Sequence, residues 1–69
     1  MEICAPFAGI VHYHVAVGDT VATGEPVATV EAVKLEVPVP APGPGVVTDL
    51  GYEDFSDVVG GDVLAVVAK

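Results

Sequence analysis

Eight glycines and six prolines interrupt this 69-residue chain too often for a long helix to persist. Between them lie short valine-rich runs in which apolar residues alternate with polar or small ones. Val11, Tyr13, Val15 and Val17 alternate with His12, His14 and Ala16; Leu35, Val37 and Val39 alternate with Glu36, Pro38 and Pro40. A period of two carried by β-branched residues marks half-buried strands. The pattern predicts strands near residues 2–4, 9–14, 20–22, 26–32, 35–40, 45–50, 57–59 and 63–68, with Val11, Val30, Val47 and Val66 facing the core. Pro38 and Pro40 lack backbone donors, so their strand belongs at a sheet edge. The fold class is all-β.

So short a chain must build its core with economy, because ordering it costs on the order of 100 kcal/mol at roughly 1.5 kcal/mol per residue. Cys4 is the only cysteine, which excludes an intrachain disulfide and a cysteine-cluster zinc site. Ten acidic residues stand against two lysines, a formal charge of −8. That balance excludes the basic footprint of a nucleic-acid binder and a polybasic membrane anchor. No apolar run is long enough to span a bilayer, and no charged-then-apolar signal opens the chain. These features describe a soluble, acidic, cytoplasmic module forming one domain over residues 1–69.

The chain also repeats itself. Ala5-Pro6-Phe7-Ala8-Gly9-Ile10-Val11 recurs as Ala41-Pro42-Gly43-Pro44-Gly45-Val46-Val47, displaced by thirty-six positions. Asp19-Thr20-Val21-Ala22-Thr23-Gly24 recurs as Ser56-Asp57-Val58-Val59-Gly60-Gly61, displaced by thirty-seven. The extra residue is expected in a loop. Two half-repeats, about 1–33 and 35–69, would then be related by an approximate two-fold axis, neither able to bury its apolar face alone.

At their junction lies Glu31-Ala32-Val33-Lys34-Leu35-Glu36. An exposed lysine at a strand end is ordinarily only a solvated charge. Lys34, however, occupies the centre of the repeat and is the only lysine away from the C-terminus. The flanking strands also leave Val33 and Lys34 as a two-residue turn that points the amine away from the body of the domain. Such turns commonly require positive φ, which β-branched Val33 resists.

These residues resemble the biotinyl/lipoyl carrier-domain family, in particular its biotin carboxyl carrier branch. The resemblance runs through Ala5-Pro6 with Gly9, Gly18-Asp19-Thr20-Val21 with Gly24, the segment Glu31 to Glu36, Ala41-Pro42 with Gly45-Val46-Val47, and Gly61-Asp62-Val63-Leu64. It implies a flattened β-barrel, a barrel-sandwich hybrid of two four-stranded antiparallel sheets. The acceptor lysine would stand on an exposed hairpin, and the protruding thumb of some biotin carriers would be absent. It places covalent biotin on Lys34, within a modification hairpin of Glu31, Ala32, Val33, Leu35 and Glu36. The family's usual Ala-Met-Lys-Met keeps Ala32 and Lys34 here, with Val33 and Leu35 replacing both methionines. The lipoylated carrier of glycine cleavage resembles Glu-Ser-Val-Lys-Ala and shares Glu31, Val33 and Lys34, so lipoate is the alternative cofactor; an unmodified interaction module is a third reading. The implied partners are a biotin protein ligase, a biotin carboxylase and a carboxyltransferase acting on an acyl-CoA or keto acid. The domain itself would be non-catalytic.

The remaining candidates have plainer readings. His12 and His14 lie two apart on one strand face, half of a metal site without a further histidine or cysteine to complete it, and are expected as solvated imidazoles. Glu53, Asp54, Asp57 and Asp62 lack the ordered spacing of a calcium loop and suggest a solvated acidic turn. Cys4 is expected to be a small buried apolar residue and Phe7 a packing residue.

Overall fold

The computed structural model describes residues 1–69 as eight strands, with no helix long and apolar enough to cross a membrane. The strands are β1 (Glu2–Cys4), β2 (Gly9–Tyr13), β3 (Thr20–Val21), β4 (Pro26–Ala32), β5 (Leu35–Pro40), β6 (Gly45–Leu50), β7 (Asp57–Val58) and β8 (Val63–Ala68). They match the expected spans, with the second, third and seventh one residue shorter. One sheet has the order β1-β8-β6-β3 and the other β5-β4-β2-β7; every pairing is antiparallel. The proline-bearing β5 lies at an edge, as missing donors require.

The sheets face one another but do not close into a continuous barrel. Strands β3 and β7 have two residues each, too few to carry a ladder around the corner. Loop hydrogen bonds take its place. Gly24 N–H donates to the Ala41 carbonyl (2.8 Å) and Ala41 N–H to Glu25 (2.9 Å); Gly61 N–H donates to Ala5 (2.9 Å) and Ala5 N–H to Asp62 (2.8 Å).

These two corners are copies of one another, and the likeness extends to the ladders. Pairs Glu2↔Val66, Ile3↔Ala65 and Cys4↔Val63 of β1–β8 repeat Pro38↔Thr29, Val39↔Ala28 and Pro40↔Pro26 of β5–β4, register shift included. The one difference locates the inserted residue. Strand β2 pairs with β4 without interruption through Val11↔Val30 and His12↔Thr29. The equivalent β6–β8 ladder passes from Val47↔Val67 to Asp49↔Val66. The extra residue is therefore Thr48, in a bulge within a strand rather than in a loop, which a ladder accommodates by leaving one residue unpaired.

The fourteen buried apolar side chains fall into seven related pairs: Ile3 with Val39, Ala5 with Ala41, Val11 with Val47, Val21 with Val58, Val27 with Leu64, Ala28 with Ala65, and Val30 with Val67. Phe7, Tyr13, Val15 and Leu50 pack against this cluster. Val11, Val30 and Val47 are buried as expected; Val66 is only half-buried. Val66 is the counterpart of Thr29 on the outward face, and Val67 takes the interior place. Cys4 is exposed, not buried, because alternation along β1 turns Ile3 inward and both its neighbours outward. Val17 is also exposed, at 59%, since strand geometry ends at Tyr13. Between β2 and β3 the chain has only residues 14–19, a turn with no thumb.

Candidate functional site

The β4–β5 hairpin is the longest in the domain, paired from Pro26↔Pro40 to Ala32↔Leu35. Strand β2 accompanies β4 only as far as Ile10↔Glu31, so the tip extends past the body of the sheet. Val33 and Lys34 form its two-residue turn. Val33 is 98% exposed and Leu35 53%; Lys34 is exposed, and Ala32 is half-buried. Neither turn residue has positive φ, contrary to the expected demand on Val33. Right-handed turns splay the strands they join, and a tip that no third strand accompanies is free to splay. Val33 therefore meets no backbone objection.

Below the turn, Glu31 and Glu36 stand directly opposite one another, both exposed. Facing like charges oppose the pairing they sit on. Lys34 relieves neither, because its amine has no carboxylate within 4.0 Å; the one such nitrogen–oxygen contact in the structure is His12 Nδ1 to Asp54 Oδ1 at 3.9 Å. The site thus presents an unpaired primary amine on a flexible stem, clear of the domain surface, with two carboxylates a short way down the hairpin. An amine so placed is accessible to an acylating enzyme, since the one hollow it borders, formed by Glu31 to Glu36 at the tip itself, leaves Lys34 exposed.

The other candidates lie elsewhere. His12 and His14 share the outer sheet face, ring centroids 5.2 Å apart, and the His14 Nε2 and Thr29 Oγ1 atoms are hydrogen-bonded at 2.7 Å. No group of three or more His, Cys, Asp or Glu side chains is arranged to hold a metal. Two acidic residues of the second half hold backbone donors: Asp54 Oδ1 accepts from Tyr13 N–H of the first half (2.9 Å), and Asp62 Oδ2 accepts locally from Val59 N–H (2.9 Å). Phe55 was not legible as a site residue. It is 65% exposed, its ring meets His12 edge-on at 4.9 Å, and it is the one non-glycine residue with positive φ, at 65°. Its signal in the sequence is its place in the repeat, where the first half has Gly18.

The chain matches the biotinyl/lipoyl family, described as biotin-requiring enzymes, over residues 1–67. It belongs to that family. Domains of the biotinyl/lipoyl family are carrier domains of enzyme complexes. The chain is 42% identical over 64 residues to the biotin-dependent acyl-coenzyme A carboxylase alpha3 subunit of Mycobacterium leprae, covering 91% of this chain and 11% of that subunit. It thus spans about a tenth of the length of this curated relative. Among solved structures, the Kluyveromyces lactis urea carboxylase superposes with a TM-score of 0.89 at 30% identity, over 99% of this chain and 6% of the carboxylase. The lipoyl domain of the 2-oxoglutarate dehydrogenase complex of Azotobacter vinelandii superposes with a TM-score of 0.74 at 20% identity, over 94% of this chain and 82% of that domain; at that identity the likeness is one of fold. The exposed, unpaired Lys34 and a turn that tolerates Val33 fit a covalently attached biotin or lipoate.

Proposed function

We propose that this biotinyl/lipoyl domain is the biotin carboxyl carrier of a biotin-dependent carboxylase, biotinylated on Lys34. The observation that carries the proposal is the position of Lys34: an amine without an ion-pair partner at the tip of a hairpin that outruns its sheet. The similarity to a biotin-dependent acyl-coenzyme A carboxylase subunit favours biotin over lipoate, and an acyl-CoA as the final carboxyl acceptor.

In the loading step, a biotin protein ligase supplies the biotinyl-adenylate. The unprotonated Nζ of Lys34 attacks its acyl carbon, the C–N amide bond forms, the acyl–phosphate C–O bond breaks, AMP leaves, and the amine proton passes to solvent. The step erases the positive charge of Lys34. Once attached, biotin supplies the reversible carboxylation chemistry. The domain's own contribution is presentation. The paired strands hold the attachment point out from the surface, and the tether keeps the group at high effective concentration for a biotin carboxylase and a carboxyltransferase in turn.

Co-expression with a biotin protein ligase tests this by intact mass. One biotinyl increment is expected, and none in Lys34→Arg. No increment on this chain, while a known acceptor is biotinylated in parallel, defeats the proposal; an increment with a lipoyl ligase instead would reassign the cofactor.

A further inference from the structure

The outer face of the sheet β5-β4-β2-β7 holds an open groove of about 320 Å³ whose lining includes His12, His14, Thr29, Glu31, Glu36 and Phe55. Its floor is two rows across the strands. Glu36, Glu31 and Ile10 form the row nearer the hairpin tip, while Thr29 and His12 lie in the next. Phe55 rises beside His12. The composition is unusual for the outside of a sheet. One wall is an exposed aromatic ring, the opposite end is a facing pair of carboxylates, and between them sit a hydroxyl and two imidazoles.

Phe55 makes the groove more than a dent. Its backbone is left-handed, a conformation that costs a residue with a Cβ about 1 kcal/mol, at a place where the other half of the repeat uses Gly18 with φ 98°. The ring recovers little by burial, since it is 65% exposed. An exposed aromatic held in a disfavoured backbone conformation points to a ligand rather than to packing.

We propose that this groove receives the head group tethered to Lys34, folded back onto its own domain, and that it is built for a neutral cyclic urea; this rests on the reading of Lys34 as the acceptor. Position supports the occupant. The groove begins two residues and ends about four residues down the hairpin from Lys34, roughly 7 to 14 Å at strand rise, a span that an extended lysine stem with an amide-linked valeryl chain covers. Chemistry supports it too. A cyclic urea offers two N–H donors and one carbonyl oxygen. The Glu31 and Glu36 carboxylates are acceptors and take the former, while a His12 ring N–H and the Thr29 hydroxyl, whose one O–H is free when it accepts from His14 Nε2–H, supply donors for the latter. The apolar edge of the head group lies against Phe55.

A dithiolane head group has no N–H to offer these carboxylates, and an anionic one is repelled by Glu31, Glu36 and Asp54. The groove therefore selects the uncharged urea. A larger hollow on the other flank of the hairpin, about 540 Å³ and lined by Ala8, Gly9, Ala32 and Val33 among others, carries Glu31 and Asp57 but no side-chain donor, and lacks this complementarity.

The test uses the full 69-residue chain made by chemical synthesis with biotinyl-lysine at position 34, so it does not depend on any ligase accepting the domain. With two histidines, two phenylalanines, two tyrosines and no tryptophan, the aromatic proton spectrum is sparse. Nuclear Overhauser contacts are expected from the head-group protons to the rings of Phe55 and His12, with shifts of both rings relative to the unmodified chain. An octanoyl-lysine chain should show neither. Phe55→Gly should abolish the contacts to His12, and Glu31→Gln with Glu36→Gln, both exposed, should weaken them if the first variant fails to fold. Absence of contacts, or the same ring shifts with the octanoyl arm, overturns the groove. A chain that no ligase biotinylates, yet whose synthetic biotinyl form shows these contacts, overturns only the carrier reading.

Discussion

Two corners of the molecule use one backbone and differ only in what they carry on it. In the first, Gly18 N–H donates to the Val47 carbonyl (2.7 Å) and Val47 N–H to Asp19 (2.9 Å). In the second, Phe55 N–H donates to Val11 (2.7 Å) and Val11 N–H to Ser56 (3.0 Å). Both corner residues are left-handed, and both bracket the central buried valine of the opposite repeat. The hydrogen-bond pattern thus dictates the conformation whatever residue supplies it. A side chain there is free of structural duty, which is why the second corner can differ from the first. The domain keeps its symmetry where backbone and core require it and departs from it on the surface beside the hairpin.

The largest effect should come where the two halves are most alike. Strands β2 and β6 each begin with a glycine pressed against a neighbouring strand. A Cβ on Gly9 would lie 2.5 Å from the Glu31 carbonyl oxygen, and one on Gly45 would run into that of Ala68 and lie 2.7 Å from Val67 Cγ1. Backbone oxygen cannot step aside as a flexible side chain does. Gly9→Ala and Gly45→Ala should each cost about 3 kcal/mol, measured by urea unfolding. A marked inequality between the two would show that the halves are alike in register but not in rigidity.

Tyr13 and its counterpart Leu50 give a smaller contrast. The Tyr13 hydroxyl donates to the Leu64 carbonyl at 2.7 Å, a bond that a leucine has no means of making. The carbonyl also accepts from Gly51 N–H, so removing the hydroxyl does not orphan it, and Tyr13→Phe should cost about 1 to 1.5 kcal/mol. Burial, ahead of the nearby Tyr52 and Asp54 charges, raises the Tyr13 pKa above its ordinary value of 10.0, and a backbone hydrogen bond to Tyr52 works against this. A raised phenol pKa means that folding favours the neutral form. Its contribution is present below about pH 10 and is lost as pH rises through the folded value. Wild type should therefore lose stability above about pH 10 more steeply than Tyr13→Phe. Equal slopes would assign the alkaline loss to Tyr52, whose pKa is also raised, chiefly by its hydrogen bond to Asp62.

What the sequence revealed follows the same division. Period two and the repeated words specify the eight strands and the hairpin holding Lys34, because valine alternation and Gly/Pro punctuation act locally. The bulge at Thr48 was hidden. It changes pairing partners without changing the apolar pattern, and so put the inserted residue in a loop; Val66 was misplaced for another reason, since a displacement of thirty-seven from Val30 points to Val67. Cys4 was misread because hydropathy alone ranks it as buried, while the parity set by Ile3 turns it out. The groove was unreadable in principle: Glu31, Thr29, His12 and Phe55 come from β4, β2 and the loop before β7, and only sheet register brings them together.

The finest contrast returns to the two corners. Nothing lies within 4 Å of a Cβ placed on Gly18, so Gly18→Ala should cost only the left-handed penalty, about 1 kcal/mol. Phe55→Gly removes that penalty but gives up the edge contact with His12 and adds unfolded-state freedom, each worth about 0.5 kcal/mol or somewhat more. The net change should be below about 0.5 kcal/mol in either direction, measured by urea unfolding of the unmodified chain. A loss well above 1 kcal/mol would make Phe55 a structural residue after all, its strain offset by packing within the domain. A near-neutral result leaves an aromatic ring that stability alone does not explain, on the outer face of the sheet that carries the Lys34 hairpin.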